Sequence, residues 1–73
     1  METSAQISGG TYNVTIRGRF TFADNPEFRE VVLNRVAEPD IKRIVLHMGQ
    51  TELVDSAALG MLLLARDEAE KHN

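Results

Sequence analysis

The chain of 73 residues contains no cysteine. That excludes a disulfide, a thiolate zinc site and a thiol nucleophile, and it fits a reducing compartment. There is no excess of basic residues either. Eight Lys and Arg stand against eleven Asp and Glu, for a formal charge of −3. Such a balance makes no electrostatic case for binding nucleic acid or an anionic membrane. The one basic spot, Arg17-Gly18-Arg19, reads as a solvated loop. Long apolar runs are missing too. The longest, Ala57–Ala65, is interrupted by Gly60 and is too short to span a bilayer. The opening "METSAQISGG" lacks the apolar segment of a signal peptide. His47 and His72 do not make a recognisable metal set. Repeats and low-complexity tracts are absent. The default that remains is a soluble, cytoplasmic protein with no cofactor.

What is present is the composition of a globular domain, 42% hydrophobic and 26% charged. At this length there is at most one domain. It buries only about 60% of its unfolded surface, so its core is small. "SAQIS" (4–8) and "TYNVTIR" (11–17) alternate with a period of two, as half-buried strands do. Gly9-Gly10 between them suits a two-residue hairpin turn, which needs positive φ. Asp24 or Asn25 can cap a helix, with Pro26 in its first turn. Phe28, Val31, Val32 and Val36 then fall on one side at helical spacing. That helix should end at Glu38-Pro39-Asp40. "RIVLHM" (43–48) follows, and Ile44-Val45-Leu46 is apolar on both faces, as expected of a covered central strand. The predicted order is strand, strand, helix, strand, helix, with the second and third strands parallel. The last helix leads to no further strand. The expectation is therefore a domain over 1–73 that is incomplete at its C-terminus or completed by another chain. Alone, it should self-associate or fold loosely.

The last helix starts at "DSAALG". On a helical wheel, Ala58, Leu59, Leu62, Leu63, Ala65 and Ala69 form a broad core arc; Met61 and Leu64 fall outside it, to be covered by missing structure, the favoured reading, or to form a contact surface. Gly60 costs about 1 kcal/mol against alanine inside a helix. Close packing on the sheet or close approach by a partner should compensate, packing being the simpler reading. Asp55 or Ser56 can cap the helix, worth roughly 1 kcal/mol. Ser56, His47 and Asp55 are also the residue types of a serine hydrolase. However, "VDSAA" lacks the glycines of a nucleophile elbow, and Asp55 adjoins the serine instead of standing behind the histidine. A hydrogen-bonded structural role is expected for His47.

The chain resembles the STAS domain, the family of bacterial anti-sigma-factor antagonists and of sulfate-transporter cytoplasmic domains. The residues that carry this are "VTIRGRF" (14–20), "IKRIVLHM" (41–48) and above all "LVDSAALGMLL" (53–63). The family pattern of an apolar pair, Asp-Ser, two small residues and Leu-Gly stands at Leu53 to Gly60. The resemblance implies an α/β fold, a mixed β-sheet with packed helices in β-β-α-β-α order. It also implies a further strand and helix beyond the last one here. His47 stands where the family usually has Asp or Asn. In the antagonists, the serine after the motif aspartate is phosphorylated by a kinase that is also the anti-sigma factor, and a phosphatase of PP2C type resets the switch. By resemblance, Ser56 is the phosphoacceptor, and Asp55, Ser56, Ala57, Gly60, Met61 and Leu64 form the partner-binding surface. The implied role is an anti-sigma-factor antagonist in a partner-switching pathway, a kinase substrate rather than an enzyme. The alternative is an unphosphorylated adaptor or sensor domain of a transporter or stress-signalling complex.

Overall fold

A computed structural model describes residues 1–71. The hairpin forms where the two glycines permit it. Strand β1 (Glu2–Ser8) and strand β2 (Thr11–Phe20) are antiparallel, with Ser8 opposite Thr11. Gly9 and Gly10 have φ of 57° and 84°. Positive φ at both central residues is what a tight type I′ turn demands, and side chains resist it. β2 follows the alternation read from sequence: Tyr12, Val14 and Ile16 are buried, and Asn13, Thr15 and Arg17 lie on the other face. β1 does not. Its residues are almost all exposed, Ile7 among them, so it is a covering strand rather than a half-buried one. Arg17-Gly18-Arg19 is not a loop but part of β2. It is irregular there because Gly18 takes φ 81° where the pairing with the next strand shifts.

After β2 comes a 3-10 turn at Phe22–Asp24, then helix α1 (Asn25–Val31). The expected single helix to Glu38 is shorter: it stops at Val31 and continues as a 3-10 turn at Leu33–Arg35. The apolar spacing still works, because Phe28, Val32 and Val36 are buried. Asp24 precedes α1 but does not cap it. Its carboxylate turns back and accepts the Thr21 backbone N–H at 2.8 Å, closing the 3-10 turn instead.

Strand β3 (Arg43–Val54) pairs with β2 in parallel, as predicted. It is twice the expected length. Among the described residues the sheet order is β1-β2-β3, and Ile44, Val45 and Leu46 are partly buried. Helix α2 (Ser56–Lys71) closes the order β-β-α-β-α. Both helices lie on one face. Phe28 and Val32 from α1 and Ala58, Met61 and Ala65 from α2 join Tyr12, Val14, Ile16 and Phe20 in one core. The rings of Phe20 and Phe28 sit 5.1 Å apart at its centre.

The wheel of α2 is rotated from the expected one. Met61 is buried (8% exposed), whereas Leu59 and Leu63 are 51% and 44% exposed. The buried stripe is Ala58, Met61 and Ala65 with Leu62 half-buried, and the angle at which β3 delivers the helix selects it.

Candidate functional site at the start of helix α2

The site is assembled where β2 and β3 end side by side. Phe20 pairs with Val54, and the next backbone N–H, that of Asp55, donates to the Phe20 carbonyl at 3.2 Å. The chain then turns into α2. One Asp55 carboxylate oxygen accepts the Ala58 backbone N–H at 2.8 Å. This is an N-cap: it satisfies an amide of the first turn that has no carbonyl partner. The other oxygen accepts the Phe22 backbone N–H at 3.1 Å, across 33 positions of sequence. Asp55 is therefore the cap, and it also ties the 3-10 turn after β2 to the helix start.

Ser56, the first residue of α2, is exposed, as is Ala57. With the cap supplied by Asp55, the Ser56 hydroxyl is left outside it. Gly60, one turn on, is exposed, and a Cβ placed there would meet nothing within 4 Å. Packing on the sheet does not explain this glycine. Leu64 is 40% exposed, in keeping with a surface position. Met61 has to be taken out of that surface, because it points into the core. The exposed set at this end of α2 is thus Ser56, Ala57, Leu59, Gly60, Leu63 and Leu64.

Phe22 was missed by sequence reasoning. It is 68% exposed and lines a shallow apolar hollow with Ala23, Pro26 and Arg29. The local pattern around "FADNPEF" signalled only a helix start. What brings Phe22 to the site is a hydrogen bond to Asp55, which no short-range pattern encodes.

The other candidates fall elsewhere. His47 sits on the sheet face away from the helices, with its Nε2 3.0 Å from Asn13 Oδ1, so it has a hydrogen-bonded place in the fold. It lies seven strand residues before Val54, about 20 Å along β3. Ser56 and His47 are not brought together, and the residues of the hydrolase reading do not converge. Thr51 and Ser4 carry hydroxyls outside the motif. Thr51 donates to the Ile16 carbonyl at 2.7 Å, and Ser4 accepts from Arg17 at 3.2 Å. Among the described residues no group of three or more metal-ligating side chains occurs; His72 lies outside them. No helix among them is long and apolar enough to cross a membrane.

Chemically, the site offers an exposed hydroxyl at the positive end of a helix dipole. A negative group attached there is stabilised by the free amides of the first turn. A three-stranded mixed sheet with two helices on one face, and an Asp-capped, serine-led second helix, defines a small α/β domain. The chain belongs to the STAS domain family, whose model matches residues 2–73. It is 37% identical over 65 residues to a STAS-domain containing protein of Pseudomonas aeruginosa (strain UCBPP-PA14), covering 89% of this chain and 62% of that one. Its fold is similar to that of the anti-sigma factor antagonist SpoIIAA in its unphosphorylated form. The TM-score is 0.80 at 14% identity, over 96% of this chain and 64% of that one. The Bacillus cell fate determinant SpoIIAA in the phosphorylated form matches with a TM-score of 0.79, at the same identity and coverage. The chain thus spans somewhat under two thirds of the length of these relatives.

Proposed function

We propose that this domain is a phosphorylation-gated binding module: an anti-sigma-factor antagonist that docks on an anti-sigma serine kinase and is released when Ser56 is phosphorylated. A PP2C-type phosphatase would restore the binding form, and the setting would be cytoplasmic. The observation that carries this reading is the division of labour at the start of α2. Asp55 holds the helix end with both carboxylate oxygens, while Ser56 stands exposed beside it. The serine can be modified without dismantling the cap.

The physics of a switch follows. A phosphoserine adds about −1.5 to −2 charge at neutral pH. At a helix N-terminus the fold tolerates that charge. The near-equal likeness of this chain to the two forms of SpoIIAA accords with a modification that leaves the fold in place. A partner seated over Ser56 and the bare backbone of Gly60 meets the new charge directly. Binding would change while the shape does not.

The test is incubation of the chain with a purified anti-sigma serine kinase and ATP, followed by intact mass and phosphopeptide mapping. One phosphate on Ser56, absent from Ser56→Ala, is the expected result. Ser56→Ala should still bind the kinase, and Ser56→Asp should bind it more weakly. Thr51 and Ser4 are internal controls, since their oxygens are engaged in the sheet. A label on either of them, with Ser56 unmodified, removes the switch and leaves the adaptor reading.

A further inference from the structure

The hydrogen bond from the Phe22 backbone N–H to Asp55 seats an apolar ring beside the start of α2. Phe22 is the most exposed large hydrophobic side chain among the described residues. A single exposed apolar residue is ordinary on a protein surface. Phe22 is not single. Ala23 and Pro26 are exposed next to it, and with Asn25 and the Arg29 side chain they line one hollow. Given that a kinase docks over Ser56, the reading on which this rests, we infer that Phe22 is the anchor of that docking. An apolar side chain of the kinase packs against the ring and Pro26, and a carboxylate beside it meets Arg29.

The first support is preorganisation. Asp24 accepts from the Thr21 N–H at 2.8 Å and pairs with the Met1 amine at 3.0 Å, and Glu27 accepts from the Thr3 hydroxyl at 3.0 Å. With Asp55 on the other side, the backbone of this segment is held before any partner arrives, and little ordering is left for binding to impose. The second is chemistry. Aromatic residues and Arg are enriched at protein interfaces, where a few such side chains carry much of the affinity. Arg29 is exposed and makes no ion pair among the described residues, so its charge is open to an acidic group.

The third support is place. Asp55 adjoins Ser56 in the chain and accepts from Phe22, so a partner that covers the start of α2 also reaches the ring. The bonds to Met1 and Thr3 set the hollow toward the β1 flank of the sheet. The further strand that the family pattern implies after α2 would extend the sheet past β3, on the opposite flank, because β2 already fills the near side of β3. The roles then divide: Phe22 supplies affinity, and Ser56 supplies the switch.

The chain contains no tryptophan, so Phe22→Trp places a single indole at the hollow. Its emission in the free chain should be that of an indole in water. It should shift to the blue when a purified anti-sigma serine kinase is added, read as the difference from the native chain mixed with the same kinase. Prior phosphorylation of Ser56 should abolish the shift. Phe22→Ala should weaken kinase binding about tenfold or more, with the urea midpoint unchanged because the ring is exposed. Phe22→Leu should recover part of the loss. Arg29→Glu should weaken binding most at low salt. Ile7→Ala, which removes an exposed apolar side chain from β1, should change nothing. Phosphorylation of Ser56 in Phe22→Ala should be slow at low chain concentration and reach the native rate at saturation, since the ring touches no reacting atom. If Phe22→Ala binds the kinase as the native chain does, while Ser56 is still phosphorylated, the inference is overturned and the switch stands. Blue emission from free Phe22→Trp also overturns it, because the ring is then covered within its own molecule. A native chain that neither binds the kinase nor is phosphorylated removes the switch, and the inference with it.

Discussion

Asp55 and Phe22 are joined by a hydrogen bond from the Phe22 backbone N–H to the Asp55 carboxylate, 3.1 Å long, while the same carboxylate caps α2 through Ala58. One side chain thus sets both the start of the helix and the position of the exposed aromatic beside it. Removing it should be felt in two places.

Asp55→Ala leaves the Ala58 amide without its cap and frees the Phe22 turn. A loss of about 1–2 kcal/mol is expected from the cap, read by urea denaturation. Ser56→Ala should cost under about 0.5 kcal/mol, because the residue is exposed and is not the cap. Equal losses for the two variants would mean that the capping role is misassigned.

Gly60 is the next case. A Leu there would be expected to clash if the glycine served close packing, but the position is open. Gly60→Ala should instead stabilise the free domain by up to about 1 kcal/mol, through helix propensity alone. Gly60→Leu should also fold at least as well as the native chain. If both variants keep stability and lose kinase binding, the glycine serves a partner's approach. A destabilised Gly60→Ala in thermal unfolding would contradict the open site.

The third prediction concerns acid. The hydrogen bond from the Thr21 backbone N–H holds the Asp24 carboxyl below its ordinary 3.8; the N-terminal amine, 3.0 Å away, adds to this, and burial opposes it. A carboxyl with a lowered folded-state pKa contributes stability above its unfolded value and loses it as pH falls through the folded one. The stability gap between the native chain and Asp24→Asn should therefore shrink on acidification from about pH 5 to about pH 2, read as the urea midpoint. A gap that is constant over that range would remove the carboxylate's role in the 3-10 turn.

Much of the molecule is written locally. Gly9-Gly10 dictates the hairpin because only a residue without Cβ takes φ of 57° and 84° freely. The alternation of Tyr12, Val14 and Ile16 selects the buried face of β2, since side chains of a strand point to opposite sides. The Asp-Ser pair marks the start of α2, and its match to the STAS pattern identifies the family. These features depend on neighbours a few residues away. What depends on distant partners was decided only in the tertiary structure. Leu59 and Leu63 are as apolar as any core residue, but the core takes Met61, because the turn at Asp55, bonded to Phe20 and Phe22, sets the rotation of the helix. Asp55 and Ser56 are chemically equal candidates for the cap until the carboxylate is seen spanning two backbone amides, one of them 33 residues away. A short pattern specifies which conformations a segment can adopt. Which of two similar faces is buried is an energy shared among elements far apart in the chain, and only their packing settles it.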